Sequence, residues 1–163
     1  MISQINFTFG SSQLLRDIAK KHPDRTFKLC VSNGDNVKYA LFDVSGKENI
    51  FSSPISLKTI DGFGDDLRGI ISYQSFKLSN DDERIMREKA KDIIASSKQA
   101  KGANAILLCN RVGHPNSTIL LSAWNSQADL NAWHDSNLYS SLNEFSARGP
   151  QNTYFSETYS LAD

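Results

Sequence analysis

Apolar residues alternate with polar ones at the start of the chain and then change to a helical spacing. In the segment 5–9, Ile5, Phe7 and Phe9 fall on one face, which is typical of a half-buried strand. The following segment, SSQLLRDIAKKHPD, repeats its apolar residues at i, i+4 intervals until Pro23. The pattern therefore predicts a strand followed at once by an amphipathic helix.

Two further strands and a short helix complete this first series of elements. The segments 26–32 and 37–44 are apolar, and the Asn-Gly pair at 33–34 between them is a strong hairpin signal. The segment 53–64, SPISLKTIDGFG, has a proline in its first turn and glycines at its end, which favours a short helix. The first series is thus β-α-β-β-α, without an obvious fourth strand.

The second series forms a complete β-α-β-β-α-β unit. Its central helix is the clearest in the chain, because Asn80 and Glu83 have capping-box spacing and acids fill the first turn. Gly102 follows the helix, and Ser126 begins another one with Asp129 at the capping-box position. The strands of this series are predicted at 68–78, 103–112, 117–124 and 153–161.

The order of elements predicts an α+β protein made of two ferredoxin-like units. The first, incomplete unit covers 1–65, and the second, complete unit covers 66–163. A ferredoxin-like unit covers one sheet face with helices and leaves the other face apolar, so we expect the two antiparallel sheets to pack together as an α/β barrel. The missing strand of the first unit leaves both a monomer and a homodimer open.

Charge and composition exclude several classes of partner. The 163 residues carry 18 basic and 18 acidic side chains, so no overall field attracts nucleic acid or an anionic membrane. The N-terminus lacks signal-peptide features, and no apolar run approaches the ~20 residues of a membrane span, so we expect a cytoplasmic protein. Cys30 and Cys109 lie in apolar strand patterns and are expected to be buried free thiols.

Common catalytic and metal-binding motifs are absent from the sequence. It contains no GxGxxG, GxxxxGK[ST], GxSxG, HExxH or CxxC pattern, and its three histidines are scattered. No carboxylate pair stands out for acid–base chemistry. We therefore expect no metal site, and the motifs assign no catalytic residue.

The strand–helix corner ILLSAWNSQADLNAW (119–133) resembles the antibiotic-biosynthesis-monooxygenase superfamily of α/β-barrel proteins. The segments FTFGSSQLLRDI, IFSSPISLKTID and TYFSETYSL are similar to a full-length group within it. That group contains the signal transduction protein TRAP and two-part haem-degrading monooxygenases. The resemblance implies an α/β barrel, together with either an oxygenase or a regulatory role.

Three residues of the haem-degrading members have counterparts here, according to this resemblance. Those enzymes place an asparagine over the haem, pack a tryptophan against its ring and bind the iron with a histidine ten residues later. Trp133 matches the tryptophan, Gln74 falls at the asparagine position, and Asn143 replaces the histidine. A carboxamide is a poor ligand for haem iron beside imidazole, so haem would lack its usual ligand and no other cofactor is expected.

Two main hypotheses for function follow from the resemblance. The first is a monooxygenase-like protein that oxygenates a small aromatic or haem-like ligand near Trp133; some members need no metal or flavin, because the substrate anion itself reduces O₂. The alternative is a non-enzymatic, TRAP-like regulator or small-ligand binder, and a third hypothesis is a stable barrel with a filled interior. The histidine of TRAP is replaced around 149–155, so no phosphohistidine role is implied. The pocket candidates are Gln74, Trp133 and Asn143, followed by Tyr73, His134 and Tyr139.

Overall fold

A computed structural model gives the structure of the chain and describes residues 1–34, 36–146 and 152–162. Its strands are β1 (Gln4–Gly10), β2 (Phe27–Ser32), β3 (Tyr39–Asp43), β4 (Ile55–Phe63), β5 (Ile70–Lys77), β6 (Ala103–Arg111), β7 (Ser117–Trp124) and β8 (Thr153–Leu161). Its helices are α1 (Ser12–Lys21), α2 (Asn80–Ser97), α3 (Gln127–His134) and α4 (Asn143–Ser146), with a 3₁₀ turn at Ser140–Leu142.

The strands close into one antiparallel barrel in the order β1-β3-β2-β8-β5-β7-β6-β4. The hairpin expected between β2 and β3 is confirmed by their antiparallel pairing. The two halves of the chain are joined directly, because β2 pairs with β8 on one side and β4 pairs with β6 on the other. The predicted α+β class and α/β-barrel packing are confirmed.

The segment predicted as a short helix is instead the strand β4, which pairs with both β1 and β6. A β-bulge between Thr59 and Asp61 reverses the alternation of faces along the strand. As a result Leu57 faces the barrel interior, whereas Ile60 and Phe63 pack against the cluster outside the barrel. This interrupted spacing imitates a helical one. Because β4 completes the first unit, the missing strand that could have invited dimerisation is present.

Apolar side chains fill both sides of the barrel wall. The interior cluster combines residues of both halves, among them Phe7, Phe42, Leu107 and Tyr159. An outer cluster lies beneath α2 and α3, and a third, smaller one beneath α1. The two cysteines belong to the interior cluster as free thiols, and burial raises the pKa of each to about 12. Their prediction as buried thiols is confirmed.

Side-chain caps fix the starts of the helices that flank the site. The α3 cap is as predicted, since Ser126 Oγ accepts a hydrogen bond from the backbone N–H of Asp129 at 3.1 Å. The α2 helix begins with Ser79, not Asn80, as its cap, because Ser79 Oγ accepts from the N–H of Asp82 at 3.3 Å. The caps therefore set where α3 begins over the outer faces of β5 and β7, and where α2 begins over those of β4 and β6.

Candidate functional site

Strand β5 separates the candidate residues onto two faces of the barrel wall. Tyr73 faces the interior, where its ring lies 5.5 Å from that of Phe7. Gln74, the next residue, is 2% exposed and faces outward beneath α3. Successive side chains of a strand point to opposite faces, so Tyr73 and Gln74 cannot share one pocket. Tyr73, one of the weaker pocket candidates, therefore lies outside the cavity that Gln74 lines.

Trp133 lies within a group of buried aromatic rings on the outer side of the wall. Its ring centroid is 5.0 Å from that of Trp124 and 4.9 Å from that of Tyr139. Its indole Nε1 donates a hydrogen bond to Ser97 Oγ of α2 at 2.9 Å, and the residue is only 3% exposed. Trp133 is thus held in place by Trp124, Ser97 and Tyr139, and its ring packs against that of Tyr139.

The amide of Gln74 is the polar centre of this region. Its Nε2 donates hydrogen bonds to the hydroxyls of Tyr139 at 2.7 Å and Tyr154 at 2.9 Å. Burial raises the pKa of Tyr139, and the nearby Tyr154 raises it further, so this hydroxyl stays neutral. The Oε1 of Gln74 is also buried but has no hydrogen-bond partner among the described residues. One strong acceptor therefore remains unpaired within the part of the chain that the structure describes.

A cavity of about 210 Å³ lies over Gln74, between α3 and the outer faces of β5 and β8. The strand register places Ser72 opposite Thr158 and Gln74 opposite Ser156, which gathers hydroxyl groups on one wall. His134 is the one histidine in the lining; its side chain is 45% exposed, and its ring lies 4.4 Å from that of Tyr139. The helix side of the cavity is formed by Gln127, Leu130, Asn131 and His134.

Asn143 does not join this cavity. It is exposed at the start of α4, whereas its neighbours Leu142 and Phe145 are buried in the outer cluster. A short helical turn that buries these two apolar side chains presents the two residues between them, Asn143 and Glu144, to solvent. The structure thus brings Gln74 and Tyr139 into direct contact, with Trp133 and His134 packed on Tyr139. It leaves Asn143 and Tyr73 elsewhere.

Two contributors to the pocket were not foreseen from the sequence. Tyr154 and Ser156 both come from β8, which pairs with β5 across more than 75 residues of chain. The alternation in TYFSETYSL was the available signal for their shared face, but nothing local indicates that β8 lies beside β5. The segment 149–155, where the TRAP histidine is replaced, overlaps the start of β8, and its residues 149–151 lie outside the described residues.

The residues present do not fit haem. The cavity over Gln74 is smaller than the roughly 300 Å³ at which pockets for drug-sized ligands begin. Trp133 packs on Trp124 and Tyr139, and Asn143 faces away from the cavity. No group of three or more His, Cys, Asp or Glu suited to a metal ion occurs in the described parts of the chain. Nor is any helix described here long and apolar enough to cross a membrane.

The α/β-barrel fold is shared with solved proteins related to antibiotic-biosynthesis monooxygenases, as the sequence resemblance predicts. A ferredoxin-fold protein related to these monooxygenases, from Listeria monocytogenes, superposes with a TM-score of 0.81 at 15% identity, covering 99% of this chain and 95% of that one. A major regulator of staphylococcal pathogenesis superposes with a TM-score of 0.78 at 12% identity, and the match covers 98% of this chain and 99% of that one. The haem-degrading enzyme LmHde of L. monocytogenes superposes with a TM-score of 0.78 at 13% identity, again over 98% of this chain and 99% of that one.

Sequence comparison adds nothing to this structural likeness. The chain matches no protein-family model, and no curated protein is significantly similar to it. At identities of 12–15% the neighbours establish the fold alone. The chemistry has to be argued from the residues of the site.

Proposed function

We propose that this protein is a monooxygenase of the antibiotic-biosynthesis type that oxygenates a small hydroxylated aromatic molecule in the Gln74 pocket, without haem. The observation that carries the proposal is the buried Oε1 of Gln74, which lacks a hydrogen-bond partner among the described residues. A buried unpaired acceptor costs about 1–3 kcal/mol. When the side chains that line the cavity shift to admit it, a substrate hydroxyl that donates to this enclosed oxygen removes the cost and fixes the orientation of the ring.

The size and lining of the pocket support a substrate of one or two rings. A cavity of about 210 Å³ has room for a bicyclic aromatic molecule but not for a porphyrin. Leu130 offers an apolar surface for the ring, and the hydroxyls of Ser72, Ser156 and Thr158 offer hydrogen bonds to its polar substituents. A dihydroxynaphthalene matches this combination.

His134 is the residue that we assign to proton removal. It lines the same cavity as Gln74, and a neutral imidazole is the side chain best suited to accept a phenolic proton near pH 7. The resulting phenolate is electron-rich enough to reduce O₂ directly. For 1,5-dihydroxynaphthalene, one O₂ yields 5-hydroxy-1,4-naphthoquinone and one H₂O. One oxygen atom enters the ring, the substrate supplies all electrons, and no further reductant is needed.

The test is the incorporation of ¹⁸O from ¹⁸O₂ into the quinone, measured by mass spectrometry with 1,5-dihydroxynaphthalene as the probe. We expect one labelled atom per product molecule and a rate above that of the protein-free solution. Gln74→Met should lower the rate about tenfold or more, because it removes a hydrogen bond to substrate. His134→Gln should retain binding and lose turnover. The matched control is Gln13→Met on α1, where the exposed glutamine donates a hydrogen bond to Asp17.

The second candidate function is non-enzymatic, a TRAP-like regulator or small-ligand binder. It is favoured by the packing of Trp133, whose ring contacts Trp124 and Tyr139 and whose N–H is bonded to Ser97, so the indole is not free to stack on a ligand. Binding of dihydroxynaphthalene that depends on Gln74, without any enzyme-dependent ¹⁸O incorporation, would support this function and overturn the oxygenase.

A further inference from the structure

A second set of cavities opens at one end of the barrel, on the opposite face of β5 from the Gln74 pocket. One cavity has a volume of about 310 Å³ and reaches inward to Phe7 and Tyr73. An adjoining cavity of about 340 Å³ extends along the rim, and the two share Ser75, Arg111 and Phe155. We refer to the two together as the barrel mouth. The barrel wall separates it from the site proposed above.

The barrel mouth concentrates positive charge in a chain whose formal net charge is zero. Its lining includes Lys38, Lys77 and Arg111 and, among the residues that the structure describes, one carboxylate, that of Glu157. None of these three cations forms a salt bridge within the described residues; the ammonium of Lys38 lies 5.6 Å from the centre of the Phe9 ring. Unpaired cations at the rim of an apolar cavity create a local attraction for anions.

Aromatic rings and a free hydroxyl form the inner part of the barrel mouth. The ring of Tyr73 lies 5.5 Å from that of Phe7 and 6.3 Å from that of Phe155. The Tyr73 hydroxyl makes no side-chain hydrogen bond within the described part of the chain, so it can donate one to a ligand. The cavity thus offers apolar ring surfaces at its base and charged donors at its entrance.

We propose that the barrel mouth binds a small aromatic carboxylate. The guanidinium of Arg111 presents a planar pair of N–H donors that matches a carboxylate, and Lys38 adds a second positive charge. The ring of the ligand packs against the exposed ring of Phe155, while Tyr73 donates its hydroxyl hydrogen to the ligand. This site does not depend on the function proposed for the Gln74 pocket.

The experiment is isothermal titration calorimetry of the full chain with benzoate and with benzamide, its uncharged isostere. We expect benzamide to bind roughly tenfold more weakly or worse, because it lacks the charge that strengthens hydrogen bonds to Arg111. Arg111→Gln should weaken benzoate binding to a similar degree. The matched control is Arg84→Gln on the exposed surface of α2. Equal affinity for benzoate and benzamide, or unchanged benzoate binding by Arg111→Gln, would overturn the proposal.

Three additional experiments support the interpretation of the titration. Glu157→Gln should tighten benzoate binding, because it removes the one carboxylate among the described residues that line the mouth. If Arg111→Gln fails to fold, Lys38→Gln serves in its place, with a weaker but still measurable loss. Competition with 1,5-dihydroxynaphthalene separates the two sites, since displacement of benzoate would contradict a distinct barrel-mouth site.

Discussion

The hydrogen bond between Gln74 and Tyr139 fixes the wall of the proposed substrate pocket, and a double-mutant cycle measures its strength. The two single changes are Gln74→Met, which retains length without polarity, and Tyr139→Phe, which removes only the hydroxyl. The Nε2–hydroxyl distance of 2.7 Å and the complete burial of Tyr139 make this a short bond without competing water. Removing either partner should therefore destabilise the protein.

The size of the effect follows from what each change leaves unpaired. Gln74→Met leaves the buried Tyr139 hydroxyl without its donor, which costs about 1–3 kcal/mol. Tyr139→Phe leaves Gln74 Nε2 with Tyr154 as acceptor, so its cost should be about 1 kcal/mol. The double variant lacks both groups and leaves no unpaired hydroxyl at residue 139. We expect its destabilisation to be smaller than the sum of the single changes by about 1–2 kcal/mol.

Urea unfolding of the four proteins, followed by circular dichroism, supplies the four free energies of unfolding. The matched control cycle combines Gln74→Met with Tyr159→Phe, because Tyr159 lies inside the barrel and does not contact Gln74. That cycle should give a coupling within about 0.5 kcal/mol of zero. Equal couplings in the two cycles would refute the role of the Gln74–Tyr139 bond in holding the pocket.

Three further predictions concern the barrel itself. Burial raises the pKa of the Cys30 and Cys109 thiols to about 12, so neither should react with a disulfide reagent at pH 8 in the native protein, and both should react in urea. Rapid reaction of either thiol in the native protein would contradict this. The free energy of unfolding should fall as pH rises above about 10, because burial raises the pKa of Tyr73, Tyr139 and Tyr159 and the unfolded chain loses their protons first. An unchanged urea midpoint between pH 8 and 11 would contradict this. In thermal unfolding, Gly69→Ala should cost at least about 2 kcal/mol more than Gly113→Ala, because both glycines have φ near +80° but only at Gly69, of the two, would a Cβ lie 1.9 Å from a backbone oxygen; equal losses would contradict it.

Most of the fold could be predicted because its signals are local. The strand periods, the hairpin between β2 and β3 and the Ser126 cap each act within a few residues, and the structure confirms the antiparallel pairing and the cap. The burial of Trp124 against the neighbouring helix residue Trp133 also follows from its place at the end of β7. The strand β4 was missed because its bulge breaks the two-residue period that identifies a strand.

The candidate site was less predictable because it depends on which strands become neighbours. Gln74 and Trp133 were identified through the resemblance, but Tyr154 reaches Gln74 only because β8 pairs with β5. The alternation of β5 already implied that Tyr73 faces away from Gln74. For Asn143, spacing along the chain predicted which residue replaces the haem-ligand histidine but not where its side chain points, and the turn at α4 exposes it to solvent.

The most direct test of the central claim is a crystal structure of the protein grown anaerobically with 1,5-dihydroxynaphthalene. The account predicts the ligand in the cavity over Gln74, with one hydroxyl within about 2.5–3.0 Å of Oε1 and the other near His134. A ligand that occupies only the barrel mouth, or one that leaves Oε1 of Gln74 without a partner, would contradict it.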